Sequence, residues 1–260
     1  MRDFLKYTLA SLVGLTLFMG LGLAGLFILL FAAASRETGP QVKDKTVMVF
    51  DLSQNITDTK SRSGTGQAIE EALSGNGEDS ITLRTVLDSL KEAAKDKKIV
   101  GLYLYSSSGS ASGGSGFGTL REVRGALEQF RASGKPIIAY DVDWDKREYY
   151  LGSVANTIVL NPIGVLEFNG LRSETTFFAG ALQKYGVGVQ VTRVGKYKSA
   201  VEPFLLTKAS SASQEQTRQL LNDLWIEFLN VVGQDRKLPT KQLQSIADSK
   251  AVLMPNEALK

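Results

Sequence analysis

The segment from Val194 to Phe204 places two lysines, Lys196 and Lys198, among apolar and aromatic residues at the end of a predicted strand. Burial in such surroundings lowers the pKa of a lysine from about 10.4 toward neutrality, and the neutral amine then acts as a base. The other interpretation is that both lysines are solvated loop residues. The segment is therefore a candidate source of a general base, and both interpretations stay open at this stage.

Histidine and cysteine are both absent from the 260 residues. Their absence excludes a Ser-His-Asp triad, a histidine-ligated or thiolate metal site and a cysteine nucleophile within this chain. Acid–base chemistry near neutral pH must therefore use Asp, Glu, Lys or Tyr with a shifted pKa. Alternating Asp141, Asp143 and Asp145 resemble part of a calcium loop, but the required glycine and distal glutamate are missing. The sequence predicts no metal site and no cofactor.

A serine- and glycine-rich loop, 106–118, lies between a predicted strand and a predicted helix. A loop in this place can present backbone N–H groups to an anion. Gly113 and Gly114 are therefore candidate substrate-binding residues of an oxyanion-type or peptide-binding loop. It is not a P-loop, because no Gly-Lys-Ser/Thr follows. The alternative is a flexible connection without a role in binding.

The N-terminal region contains no charged residue from Tyr7 to Ser35, and Lys6 and Arg36 bracket this run. As a helix it would exceed roughly 40 Å, which is more than the hydrocarbon core of a bilayer requires. The alternative is a cleaved signal peptide, although a signal h-region is shorter. We expect an uncleaved anchor with its N-terminus in the cytoplasm and the main domain on the other side.

The remaining chain alternates strands with helices, which predicts an α/β domain with a mostly parallel sheet. The net charge of +3 is too small to indicate a nucleic-acid partner. Residues 1–36 are predicted as the anchor, 37–45 as a linker and 46–260 as one α/β unit. Ser213 and Gln216 predict a capping box for a helix that runs to Val232. The predicted strands are Val47–Leu52, Ile99–Tyr105, Pro136–Tyr140, Thr157–Leu160 and Val187–Val194.

The run from Arg193 to Phe204 resembles the signal peptide peptidase A family, also called protease IV, and the resemblance extends from the anchor to about Gly233. Tyr149-Tyr150-Leu151 and Ala155-Asn156 are similar as well. The resemblance implies a ClpP/crotonase-like unit behind one transmembrane helix. It also implies a serine endopeptidase of a bacterial membrane that degrades signal peptides and other short peptides and forms a homo-oligomer.

The resemblance further implies a Ser-Lys dyad in which Lys198 is the general base, whereas Lys196 does not match the dyad position. In a nucleophile-bearing unit of the family, Ser-Gly-Gly-Tyr opens the helix before the Ala-Asn strand. Here the same place reads Lys146-Arg147-Glu148-Tyr149. This chain therefore reads as an amino-terminal copy that supplies the lysine, with the serine on a second, carboxy-terminal unit.

Two other functions stay open on the sequence. One is a non-catalytic, membrane-anchored module for assembly or peptide binding, because this chain has no serine at the nucleophile position. The other is a crotonase-type acyl-CoA enzyme with the same fold, against which the anchor and the Gly-Lys-Tyr-Lys-Ser segment argue.

Overall fold

The computed structural model describes residues 2–34, 42–59, 80–106 and 115–259. The chain divides into two compact units, residues 1–43 and residues 44–260. We describe each unit by itself.

The first unit consists of helix α1 (Arg2–Ala34). Within the described ranges, Arg2–Leu29 is the one stretch of helix long and apolar enough to cross a membrane. The hydroxyls of Thr8 and Thr16 donate to the carbonyls of Phe4, at 2.8 Å, and Val13, at 2.9 Å. The helix thereby satisfies these polar groups internally, as an apolar solvent requires. An anchor and a signal sequence both fit these properties.

The second unit is built on a sheet of four parallel strands in the order β1-β4-β5-β6. This arrangement confirms the predicted α/β class with a mostly parallel sheet. Two small sheets accompany it, a parallel pair β2-β3 and an antiparallel pair β7-β8. The strands are β1 (Thr46–Asp51), β2 (Asn55–Thr57), β3 (Ser80–Thr82), β4 (Ile99–Tyr105), β5 (Ile137–Asp141), β6 (Thr157–Leu160), β7 (Leu166–Glu167) and β8 (Val252–Leu253).

Helices follow most of these strands, as parallel pairing requires. They are α2 (Leu83–Lys95), α3 (Phe117–Ala132), α4 (Lys146–Gly152), α5 (Ala179–Lys184), α6 (Glu202–Leu205), α7 (Ser211–Arg236), α8 (Thr240–Ser249) and α9 (Pro255–Ala258). The strands predicted at Ile99–Tyr105 and Thr157–Leu160 have the predicted bounds.

The two faces of the central sheet differ in burial. Leu102, Leu104, Ile137 and Ala139 alternate along β4 and β5 and belong to one core with the apolar faces of α2 and α3. The intervening residues lie on the opposite face, where Val47, Val49, Ile138 and Val159 are between 40% and 56% exposed. Among the described residues, no layer covers this second face.

The prediction of a strand at Val187–Val194 is wrong. Val187, Val189 and Val191 alternate as in a strand, but the segment has no regular structure and all three side chains are exposed. In the described part of the chain no strand lies beside it, so its backbone lacks the partner that a ladder needs. The preceding helix α5 covers Ala179–Lys184.

The long helix α7 begins earlier than predicted. Ser210 is its N-cap, because the Ser210 hydroxyl accepts a hydrogen bond from the Ser213 N–H at 3.2 Å. The predicted cap, Ser213, is therefore inside the first turn. The helix also continues beyond Val232 to Arg236.

A buried arginine joins α3, α4 and α7. Arg124 is 3% exposed and donates to the carbonyl of Tyr150 and, at 2.9 Å, to the hydroxyl of Ser153. Its guanidinium also forms an ion pair with Asp235 of α7. Asp235 forms a second ion pair with Arg131, at 2.8 Å. Breaking a buried pair is costly because it leaves a charge in an apolar site.

We therefore expect Arg124→Met to lower the free energy of unfolding by about 3–5 kcal/mol. Urea unfolding of the full chain in detergent, followed by circular dichroism, measures this change. Arg84→Met is the matched control, since Arg84 pairs with Asp88 on an exposed helix surface and should cost less than about 1 kcal/mol. Equal losses in the two variants would contradict the structural role of Arg124.

Candidate active site

Lys198 lies in the irregular segment between α5 and α6, and its backbone is held at two points. Its N–H faces the carbonyl of Gly195 at 3.5 Å, and its own carbonyl accepts a hydrogen bond from Arg193 at 3.0 Å. Gly195 has a φ of +98°, a left-handed conformation that a side chain would strain. The glycine thus permits the turn that presents Lys198.

A buried carboxylate holds this turn against the start of α7. Glu202 is 2% exposed and accepts hydrogen bonds from the N–H of Ser210, at 2.9 Å, and from its hydroxyl, at 2.7 Å. Arg193, which binds the carbonyl of Lys198, is also 3.4 Å from Glu202. The hydrogen bonds from Ser210, followed by those from Arg193, lower the pKa of Glu202. The carboxylate therefore stays ionised at neutral pH and keeps these contacts.

The two candidate lysines have different surroundings. The ammonium of Lys196 lies 4.6 Å from the centre of the Tyr197 ring, and a hydrogen bond with Tyr197 raises its pKa. The contact with Tyr197 therefore favours the protonated form of Lys196. The side chain of Lys198 is exposed, and no ion pair or hydrogen bond to its ammonium occurs within the described residues.

The start of α4 is the place where the sequence comparison puts the missing nucleophile. Asp145 caps the helix by accepting from the N–H of Glu148 at 2.7 Å. Lys146 donates to the amide oxygen of Asn169. Arg147 donates to the hydroxyl of Ser115 at 3.0 Å. Burial raises the pKa of Tyr149, so its hydroxyl stays neutral. The side chains at this helix start therefore serve packing and hydrogen bonding.

Two carboxyl groups meet behind this helix start. Glu148 is 1% exposed and accepts a hydrogen bond from Ser106 at 2.6 Å, and Asp141, at the end of β5, is 6% exposed. Burial, opposed in part by hydrogen bonds, raises the pKa of Glu148 to about 7 and that of Asp141 to about 6. The charge of Asp145 raises both pKa values further.

We expect the two carboxyls to share a proton. Oδ1 of Asp141 accepts from the N–H of Val142 at 2.7 Å, whereas Oδ2 is buried without a partner among the described residues. A protonated Glu148 would donate to Asp141, and a hydrogen bond with Glu148 lowers the pKa of Asp141. Glu148 was not predicted as a site residue, because the sequence around it indicates only a charged residue near the start of a helix.

Of the three predicted site residues, Lys198 lies in the described part of the chain. Gly113 and Gly114 lie outside the described residues. Nothing in the described hydrogen bonds joins Lys198 to the helix start at Lys146. Asp141, Asp143 and Asp145 point to separate partners, since Asp143 accepts from the N–H of Val165 at 2.9 Å. Among the described residues, the backbone of Lys198 is therefore held in place while its ammonium has no hydrogen-bond or ion-pair partner.

Comparison with known proteins identifies the family. The profile of peptidase family S49 matches residues 129–260, which include Lys198, Glu202 and the start of α4. The chain belongs to peptidase family S49. The family assignment agrees with the resemblance found in the sequence.

Named relatives of this S49 chain include bacterial and plant proteins. "Protease 4" of Salmonella typhi is 31% identical over 75% of this chain, and "Protease 4" of Haemophilus influenzae is 31% identical over 94%. The chloroplastic "Serine protease SPPA" of Arabidopsis thaliana is 28% identical over 80%. The matches cover 32%, 40% and 28% of the respective relatives, so the chain spans less than half of their length.

Solved structures are more distant. An enoyl-CoA hydratase from Mycobacterium avium subsp. paratuberculosis aligns with 65% of this chain and 80% of its own, at 12% identity and a TM-score of 0.28. A likeness this low carries no weight for the activity of the S49 chain.

The carboxyl pair generates a prediction about pH. Both pKa values are raised in the folded chain, so the folded state binds more protons than the unfolded state between about pH 4 and 7. The contribution of this pair to stability is therefore fully present below this range and is lost as the pH rises through it. We expect this contribution to the free energy of unfolding to fall by about 2–4 kcal/mol between pH 5 and 8.

Urea unfolding of the full chain at a series of pH values measures this loss, and the absence of histidine removes the usual competing titration. Glu148→Gln should flatten the profile, because glutamine keeps the hydrogen bond with Ser106 but does not titrate. Glu92→Gln, at an exposed site, should leave the profile unchanged. A profile that is equally steep without Glu148 would refute the shared proton.

Proposed function

We propose that this chain supplies the general base, Lys198, of a membrane-anchored serine endopeptidase that uses a Ser-Lys dyad. The observation that carries the proposal is the contrast at the Gly195 turn. There the backbone of Lys198 is fixed by Arg193 and Glu202, while its ammonium stays unpaired among the described residues. Membership of peptidase family S49 supports the reaction class.

In the proposed mechanism, the serine lies on a second unit of the same kind. Neutral Lys198 takes the proton from the serine hydroxyl as the oxygen attacks a peptide carbonyl. Backbone N–H groups of a glycine loop, for which Gly113 and Gly114 are candidates, stabilise the oxyanion. The lysine then returns the proton to the leaving amine, and water releases the acyl group by the same base catalysis.

Lys198 must lose its proton near neutral pH for this mechanism to work. Its exposure in this chain means that the desolvation comes from a surface that covers the segment 187–200. An apolar surface over this segment would lower the lysine pKa by disfavouring the charged form. The second unit that carries the serine would supply that cover, so the base becomes active only where the nucleophile is present.

The exposed sheet face supports association with further units. Parallel sheets are almost always covered on both faces, whereas Val49 and Ile138 are exposed on one face here. Val187, Val189 and Val191 add a second apolar surface. We infer that the protein forms a homo-oligomer in which copies or units cover these residues.

The proposed substrates are cleaved signal peptides and other short apolar peptides. Helix α1 can hold the unit at a membrane, where such peptides are released, and lipid is then a partner of the anchor. Arg2 and Lys6 lie on the short N-terminal flank, which favours a cytoplasmic N-terminus in a bacterial membrane and a main unit on the non-cytoplasmic side.

Lys198→Ala tests the base assignment in the full protein that the gene encodes. We expect kcat for a fluorogenic apolar peptide to fall by about 10²–10⁴-fold, the usual contribution of a general base. Lys196→Ala should retain most activity, because the raised pKa of Lys196 excludes it as the base. Undiminished hydrolysis by the Lys198 variant would remove Lys198 from the mechanism. A full protein that assembles and binds peptide without cutting it would favour the non-catalytic module.

Val49→Glu tests the proposed association. Val49 is 56% exposed on edge strand β1, so the substitution should leave the fold intact but place a charge on the apolar face. We expect the molar mass in detergent, measured by light scattering, to fall toward that of one copy. Leu220→Glu, at an exposed position of α7, should leave the mass unchanged. An unchanged mass in the Val49 variant would show that this face is not the interface.

A further inference from the structure

A groove of about 630 Å³ runs between the irregular segment 170–177 and helix α7. At one end it adjoins a second cavity of about 330 Å³ under α3, α4 and α7. Leu171 and Trp225 line both spaces, so the two are adjacent. Neither lining includes Lys198, whereas Lys146 and Arg147 at the start of α4 line the smaller cavity.

The smaller cavity is apolar and closes on aromatic rings. Its volume is at the low end for ligand sites, which run from roughly 300 to 1,000 Å³, so it suits a single side chain better than a cofactor. The apolar lining includes Phe117, Leu120, Tyr150, Leu224, Trp225 and Phe228, and the charged residues Asp145, Lys146, Arg147 and Glu167 complete it. An apolar group that enters this space is transferred from water to hydrocarbon surroundings, which is favourable.

One polar atom of this cavity lacks a partner. Tyr150 is 1% exposed, and its hydroxyl has no hydrogen-bond partner within the described chain. Burial raises the pKa of Tyr150, so the hydroxyl stays protonated and can donate. A buried donor without an acceptor is costly, and a ligand with a carbonyl or hydroxyl oxygen would remove that cost.

The larger groove has the chemistry of a peptide-backbone site. Its walls present neutral hydroxyls and amides from both sides, among them Ser173, Thr175, Ser213, Gln214 and Asn222. Such groups pair with backbone N–H and C=O groups without requiring a charge. Arg218 is the one cation among the described lining residues. The groove therefore has little positive charge with which to attract a phosphate or another anion.

The segment beside the groove also offers its backbone. No backbone hydrogen bond involves residues 170–177 in the described part of the chain, and the segment is largely exposed. An extended peptide can pair with such a free edge as an added strand, with alternate side chains entering pockets. In this arrangement the groove pairs with the backbone of the peptide, and the apolar cavity takes one of its side chains.

We propose that this groove binds an extended peptide and that the cavity beside Tyr150 receives one of its apolar side chains. The inference rests on the proposed function in one respect, namely that the ligand is a peptide. The site lies in a unit that lacks the nucleophilic serine of the proposed mechanism. It would therefore bind a peptide without cutting it. A strand of a second copy is the competing occupant.

The test uses the full chain in detergent micelles and the probe acetyl-Ala-Ala-(4-bromophenylalanine)-Ala-Ala amide. Bromine quenches tryptophan emission on contact, and the chain has two tryptophans. Trp225 lines the cavity, whereas Trp144 is 1% exposed and outside both linings. We expect saturable quenching in the native chain and none in Trp225→Phe, in which Trp144 is the remaining emitter.

Two matched variants separate the cavity from partition of the probe into micelles. Leu224→Glu places a charge in the cavity wall and should abolish saturable quenching. Leu220→Glu, one turn earlier on the same helix and 59% exposed, should retain it. Tyr150→Phe should weaken the affinity about threefold to tenfold, the range for one hydrogen bond, without a loss of thermal stability.

Absent or non-saturable quenching, or equal quenching in the two leucine variants, would overturn the proposal. So would quenching that is lost as the chain concentration rises, because a second copy would then occupy the groove. The readout is binding, which needs no hydrolysis. A failed Lys198→Ala experiment therefore leaves this inference standing, and failed binding leaves the assignment of Lys198 standing.

Discussion

A guanidinium can be buried only where acceptors surround it, and Arg124 meets this condition at the junction of α3, α4 and α7. The contact determines where the long helix α7 lies on the sheet unit. Ser210 at the start of that helix binds Glu202, and Glu202 with Arg193 holds the turn of Lys198. The placement of the candidate base therefore depends on a charge buried in the core.

The edge of the sheet where β4 and β5 end explains the carboxyl pair. Parallel strands bring their carboxyl ends to one edge, and the following helices begin there. Ser106, Asp141 and Glu148 meet at this edge although they are distant in sequence. The N-terminus of α4 favours negative charge through its dipole. At this edge the chain holds two buried carboxyls with raised pKa values, whereas the proposed base lies on another segment and would act with a different unit.

The open surfaces of the chain fit such a division of roles. A parallel sheet with one bare apolar face and a run of exposed valines has not completed its burial by itself. The same incompleteness leaves Lys198 exposed. Association would bury these surfaces and Lys198 in one step. In the proposed mechanism assembly would thereby be coupled to activity, while the groove along α7 would stay available for peptide.

The sequence alone determined the features that depend on near neighbours along the chain. These are the membrane-length α1, the α/β order, the strands Ile99–Tyr105 and Thr157–Leu160, and the lysine motif of an S49 peptidase. Only the tertiary structure decided that Val187–Val194 is not a strand, because a strand exists only beside a partner. It also decided that Asp141 and Glu148 are buried with raised pKa values, that Ser210 caps α7 and that Lys198 is exposed. Burial and pairing depend on residues distant in sequence, and a local pattern does not contain them.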